Sequence, residues 1–269
     1  MKDIKVIIAA HKNYQMPEDE MYVPLHVGAE GKFDEDGNPL ELGYIKDNTG
    51  DNISEKNSEF CELTGLYWAW KNLKAEYIGL AHYRRHFVMK RKGDKWDKVA
   101  NKKFIDYEFE KHGVDVILPK PRNYFIETNY SQYVHAHHAE DLDTTKAIIE
   151  ELYPEYLDSW NAVMESTKGH RFNMFIMKYD LFCNYMEWLF GILFELEERL
   201  DISDYTDNDK RVFGFVAERL LDVWIDTNMI DYLELPVEFM ENENWIKKGS
   251  KFLKRKFLGK SEKNVSHVE

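Results

Sequence analysis

The residues best placed to do chemistry are four in a row, His82-Tyr83-Arg84-Arg85, directly after the apolar run Tyr77–Ala81. Arginines at the end of a buried strand are costly to desolvate without an anion, and their planar forks suit a pyrophosphate. The bland alternative pairs them with the protein's own carboxylates, or lays their stems along the sheet edge. His11 and Lys12 occupy the equivalent place after a second apolar run, Lys5–Ala10. A third group, Asp47, Asn48, Asp51 and Asn52, lies in a stretch rich in Asp, Asn and Gly. Asp and Asn in that alternation can bind a ligand, hold Mg²⁺ or Mn²⁺, or simply bond their own backbone in turns.

These groups need elements to position them. Lys5–Ala10, Tyr77–Ala81, Asp115–Leu118 and Phe172–Met177 read as strands buried on both faces, and Tyr232–Leu235 as a last short one. Between them, Phe60, Leu63, Tyr67, Trp70 and Leu73 have helical spacing, with Ser54 or Asn57 as the cap. Cys61 and Glu62 fall inside that predicted helix. Further helices are expected at about 129–139, 141–152, 154–166, 179–199 and 214–228. Residues 14–53 read as one long loop. A loop of that length in a compact domain is usually functional. Strands alternating with helices predict an α/β fold with a mostly parallel central sheet flanked by helices. In such sheets ligands bind beyond the carboxyl ends of the strands. That rule nominates His11-Lys12, His82–Arg85, Pro119-Lys120-Pro121 and the residues after Met177.

Composition narrows the class. Net charge is −13, and it is unevenly spread. From Trp245 to Asn264 eight Lys and Arg stand against one acid, so the rest of the chain carries −20. A body this acidic offers no broad basic face for nucleic acid. The two cysteines read as buried thiols of a reducing compartment. The apolar run at the start is too short for a signal peptide, and no run approaches a membrane span. The expected organisation is one domain over residues 1–244 and a basic, amphipathic or disordered tail over 245–269. The tail mixes cations with Trp, Phe and Leu, which suits an anionic membrane surface.

Longer blocks carry a resemblance. Asp47-Asn48-Thr49-Gly50-Asp51-Asn52-Ile53-Ser54, Cys61-Glu62-Leu63-Thr64 with Tyr67–Asn72, Gly79–Arg85, Asn173–Met177, and Arg211–Phe215 with Glu218–Leu220 resemble the DUF4422 family in order. The resemblance implies a glycosyltransferase of bacterial capsule, exopolysaccharide or O-antigen synthesis, with a GT-A-like nucleotide-sugar-binding fold. It implies a UDP-sugar donor, galactofuranose among the sugars, and a lipid-linked oligosaccharide acceptor. The protein would then be cytoplasmic and peripheral on the inner face of the membrane.

On that reading Arg84 and Arg85 stand where a familiar GT-A enzyme carries an Asp-x-Asp metal site. They would neutralise the leaving diphosphate without a metal. The alternative is Mg²⁺ or Mn²⁺ held by Asp47 and Asp51. Inverting transfer needs one general base, and Glu218 is the first candidate, Asp180 the second. His135 and His138, one helical turn apart, and Asn173 are the expected acceptor contacts. Trp68, Trp70, Trp188 and Tyr185 could stack on sugars, but their helical spacing points to core. A non-catalytic nucleotide- or glycan-binding module would keep the arginines and need no base.

Overall fold

The apolar run at the start of the chain forms β1 (Ile4–Ala10), whose residues are almost all buried. The computed structural model describes residues 1–90 and 92–241. The basic tail expected over 245–269 lies outside the described residues. After β1 come β2 (Tyr22–His26) and β3 (Ile45–Lys46), then α1 (Asn57–Phe60) and α2 (Leu63–Asn72). A hairpin of β4 (Tyr77–His82) and β5 (Arg85–Phe87) precedes α3 (Lys102–His112), β6 (Val116–Pro119) and β7 (Arg122–Asn123). Three helices follow, α4 (Asn129–Ala136), α5 (Ala139–Leu152) and α6 (Leu157–Glu165), then β8 (Lys168–Gly169). The chain continues through β9 (Phe175–Lys178), α7 (Tyr179–Arg199), α8 (Val212–Thr227), β10 (Leu233–Leu235) and β11 (Val237–Phe239).

The main sheet runs β10-β6-β9-β4-β1-β2-β3. Every strand on this path is parallel except β9, which is antiparallel to both β4 and β6. The α/β, mostly parallel expectation therefore holds. Each strand alternates its side chains between two apolar layers. Ile7, Ala9, Ile78 and Leu80 face the layer built with α2, α7 and α8. Ile4, Val6, Ile8, Tyr77 and Ala81 face the layer containing Phe109 and Phe87. Trp68, Trp188 and Tyr185 are buried in the first layer, in keeping with core.

Several departures have local causes. β2 lay hidden in the expected loop because Pro24 interrupts its pattern. Its partner β3 pairs only with Leu25 and His26, so the ladder on that side begins beyond the proline. The antiparallel course of β9 reverses the edge rule for that strand. Lys178 pairs with Tyr77 at the start of β4, so Tyr179 and Asp180 lie at the edge opposite His82. What precedes β9 lies at the carboxyl edge instead. The helix expected over residues 57–73 is broken at Cys61, whose φ of 53° and ψ of −129° cannot continue a helix.

Candidate active site

A cleft of about 570 Å³ opens beyond the carboxyl ends of β1 and β4. Its walls come from six places: Ala9 and His11 at the end of β1, Val27 after β2, the break between α1 and α2, His82–Arg85, Phe172 before β9, and the start of α8. Of the residues nominated from sequence, it brings together His11, His82, Tyr83, Arg84, Arg85 and Glu218.

The arginine cluster is a tight hairpin. His82 pairs with Arg85, which leaves Tyr83 and Arg84 at the turn, and β5 runs back to pair with β11. Aromatic faces hold both guanidinium groups. Arg85 lies 4.3 Å from the ring centre of Phe172 and 5.2 Å from that of Phe239. Arg84 lies 5.3 Å from Tyr83 and 5.6 Å from Phe239. Rings that take the flat face of a guanidinium leave its edge donors for a ligand. Among the described residues Arg85 forms no ion pair, and Arg84 has one long contact, 3.7 Å to Glu241. Burial, and then the charge of Arg84, lowers the Arg85 pKa, outweighing the pull of Glu218 and Glu62 across the cleft.

A third arginine faces the same space. Arg211, just before α8, donates from Nε to Cys61 Sγ at 3.2 Å and lies 5.2 Å from the Phe215 ring. Among the described residues it too has no carboxylate within ion-pairing distance. Burial pushes the Cys61 thiol up to about 11, so it is neutral at physiological pH and no nucleophile.

Two carboxylates complete the cleft. Glu218 accepts the backbone N–H of Phe172 at 3.0 Å through Oε1, and Arg219 approaches its other oxygen at 3.4 Å. Glu62 accepts from Asn173 Nδ2 at 2.8 Å. Asn173 also donates to the Gly214 carbonyl at 3.2 Å, and its own Oδ1 is buried without a partner. Asn173 thus sits behind Glu62, buried, and is not part of the cleft wall. Phe172 and Asn173 hold φ of 75° and 52°, and His82 Nε2 meets the Phe172 carbonyl at 2.6 Å. Cys61 and Phe172 thus line the cleft at positive φ and Asn173 lies directly behind it, each costing about 1–3 kcal/mol.

On the β1 side, Tyr14 stacks on Tyr83 with ring centres 3.9 Å apart. His11 meets the Tyr83 ring edge-on at 5.3 Å. Burial, then the charges of Lys12 and Arg84, lowers the His11 pKa, so its ring is neutral near pH 7. Lys12 points to solvent and does not line the cleft.

The other candidates lie elsewhere. Asp47 is fully buried and accepts four hydrogen bonds: from Gly28 N at 2.8 Å, Ala29 N at 3.0 Å, Ser54 Oγ at 2.5 Å and Thr64 Oγ1 at 2.7 Å. It ties the turn after β2 to the start of α2. Gly28 in that turn has φ +64°, and a Cβ there would strike Asn57, so the turn requires glycine. Asp51 accepts from Tyr67, Asn48 donates to Glu30 and Asn52 to Gly50. Asp47 and Asp51 therefore do not fit a Mg²⁺ or Mn²⁺ site: one is saturated by protein donors and the other faces outward. Asp180 sits across the sheet, as the course of β9 dictates. His135 and His138 do not share a helical face, because α4 ends at Ala136 and α5 begins at Ala139. His135 bonds Glu127, while His138 stacks on Tyr205 and approaches Asp209.

Glu62, Arg211, Phe172 and Asn57 belong to the cleft but were not singled out from sequence. Unbroken helical spacing hid Glu62, because nothing in the pattern marks Cys61 as a break. The available signal was the match of Cys61–Thr64 and Arg211–Phe215 to family blocks.

The family described as a domain of unknown function, DUF4422, matches residues 5–229. Among solved structures, the WbbM bifunctional glycosyltransferase in its apo form is similar, with a TM-score of 0.81 and 33% sequence identity. The similarity covers 90% of this chain and 46% of that one, so this chain spans about half the length of its relative. No curated protein sequence matches the chain.

Proposed function

The chain belongs to the DUF4422 family, and from that premise we propose that it is an inverting, nucleotide-sugar-dependent glycosyltransferase with a GT-A-like fold. The observation that carries this reading is that, among the described residues, neither Arg85 nor Arg211 in the cleft has a carboxylate within ion-pairing distance, in a chain of net charge −13. Acids are plentiful, yet these cations are held by rings and a thiol. A diphosphate would supply the missing charge. The similarity to a bifunctional glycosyltransferase supports the same class.

In the proposed reaction the acceptor hydroxyl attacks the anomeric carbon of the donor. Glu218 takes the hydroxyl proton as the new bond forms. The bond from the anomeric carbon to the diphosphate oxygen breaks, and its electron pair leaves with the diphosphate. Arg84, Arg85 and Arg211 neutralise that developing charge from fixed positions. His11, His82 and Tyr83 shape the donor side of the cleft, with Tyr14 packed behind. The donor is a UDP-sugar, galactofuranose being one candidate sugar, and the acceptor a lipid-linked oligosaccharide of surface polysaccharide synthesis. The basic segment 245–269 adds one attachment to an anionic membrane on the cytoplasmic side. Among the described residues no helix is long and apolar enough to cross a membrane.

The test is release of UDP from a panel of UDP-sugars by the purified chain in excess EDTA, with and without a glycan acceptor. Acceptor-dependent release in EDTA is expected. UDP-sugar binding with no release or transfer under any condition would reassign the chain to a non-catalytic binding module. Strict metal dependence would remove the arginine role.

A further inference from the structure

The loop after β7 holds two large apolar side chains in water, side by side. Phe125 is 81% exposed and Ile126 92%. Phe125 also has φ of 61°, a left-handed conformation that a bulky residue rarely adopts. The backbone is locked in this form: Phe125 N–H donates to Asn123 Oδ1 at 2.8 Å, and Ile126 N–H to the Tyr124 carbonyl at 2.7 Å. A single exposed apolar residue is ordinary, but an adjacent pair presented on a strained, bonded turn is not.

Cations flank the tip along the chain and across the β7–β8 ladder, Arg122 lying 5.3 Å from the Tyr124 ring. Lys120 and Arg122 precede it, and Lys168 lies opposite Asn123 across the β7–β8 ladder. All three are exposed, and among the described residues none has a carboxylate within ion-pairing distance. The acid next to the tip, Glu127, is bonded to His135 at 2.7 Å. On a chain this acidic, an apolar tip flanked by three unpaired cations complements an anionic surface that also has a hydrocarbon interior.

We propose that the loop around Phe125 and Ile126 docks the protein on an anionic lipid bilayer. The two side chains enter the headgroup region, and Lys120, Arg122 and Lys168 meet lipid phosphates. The docking surface is tied to the cleft. Because β9 is antiparallel to both β4 and β6, those two strands run the same way, so the loop after β6 and β7 shares an edge with the arginine hairpin. Arg171 Nε donates to Tyr124 Oη at 3.1 Å, and Arg171 precedes Phe172 in the cleft wall. A bilayer seated on this loop would present a lipid-linked acceptor to the cleft edge. That consequence rests on the transfer proposed above, whereas the docking does not.

The test uses the full chain and co-sedimentation with phosphatidylcholine vesicles, with and without phosphatidylglycerol. The double variant Phe125→Asn with Ile126→Ser is designed to stay folded, since asparagine accepts the left-handed backbone, and its melting temperature checks this. The wild type is expected to sediment with the phosphatidylglycerol vesicles, and less so at high salt. The double variant should bind them about tenfold more weakly while binding UDP normally. Lys120→Glu with Lys168→Glu should also weaken binding. Equal sedimentation of wild type and double variant would overturn the proposal and assign membrane affinity elsewhere, including residues beyond 244. So would a wild type that ignores phosphatidylglycerol, or one that dimerises through the tip instead. Failure to bind UDP with vesicle binding intact would instead sink the proposed function and leave the docking surface standing.

Discussion

The two edges of the central sheet are built to different rules. At the edge where β1 and β4 begin, charges find partners. Lys2 meets Asp106 and Glu110, and Asp115 takes both the Tyr77 hydroxyl and Lys178. At the edge where those strands end, Arg85 and Arg211 have no carboxylate within ion-pairing distance among the described residues, and Cys61, Phe172 and Asn173 hold positive φ. Helix α2 is cut short from its expected start on the same side. Strain and unpaired charge persist only where the surrounding fold enforces them. Among the described residues, three of the five non-glycine positions at positive φ gather at or just behind this cleft, which separates a ligand-binding face from a face that mainly has to stay folded.

The contrast can be broken most sharply at Glu218. Glu218→Gln should lower transfer by about a thousandfold while leaving UDP binding intact. Single-turnover rates beside calorimetric binding would check this, and near-normal turnover would end its role as base. Glu62→Gln, measured in parallel, tells whether the second carboxylate shares the task. Next comes Arg85→Ala, expected to cost about a hundredfold or more in turnover, as loss of one fixed donor to developing charge does. Lys178→Ala at the opposite edge should leave turnover unchanged, and equal effects at the two edges would erase the distinction.

A third prediction concerns pH. His86, on β5, is fully buried with neither ring nitrogen bonded. Burial, and then neighbouring His82, pushes its pKa from 6.5 to about 4. The unfolded chain therefore takes a proton below about 6.5 that the folded chain refuses until about 4. Stability is fully present above the first value and is lost as pH falls towards the second, by about 3 kcal/mol. Denaturant titrations of wild type and His86→Phe across this window should show a shallower slope in the variant, by about one proton. A variant with the wild-type slope would place the titrating group elsewhere.

Cys61→Gly should give a smaller effect of mixed sign. Glycine accepts the backbone of residue 61, so the melting point should rise, by about 1 kcal/mol of stability. Turnover should fall as Arg211 loses the sulfur that holds its Nε. A variant both less stable and fully active would contradict the link between strain and function. Smallest is the exposed pair at the other edge, where Asp115→Asn should change stability by less than about 1 kcal/mol.

Much of the scaffold was legible in the sequence. The helix expected at 179–199 is α7 residue for residue, because long amphipathic spacing is a strong signal. The runs predicted as β1, β4 and β6 are strands, because both-face burial makes them continuously apolar. The direction of β9 was not legible, since an apolar run of four residues looks alike in either orientation. That one reversal removed Asp180 from the cleft and brought Phe172 into it. Nor could spacing show that Cys61 interrupts a helix, or that α4 stops at Ala136 and parts His135 from His138. Asp47 was readable as important but not as buried: its four donors come from three separate segments.

The most direct measurement is calorimetry of UDP binding in excess EDTA, for wild type and for Arg85→Ala with Arg211→Ala. Unpaired cations at the strand ends predict clear binding by the wild type without metal, and its loss in a variant that melts normally. Binding of equal strength in both proteins, or binding that appears only when a divalent metal is restored, would contradict that claim.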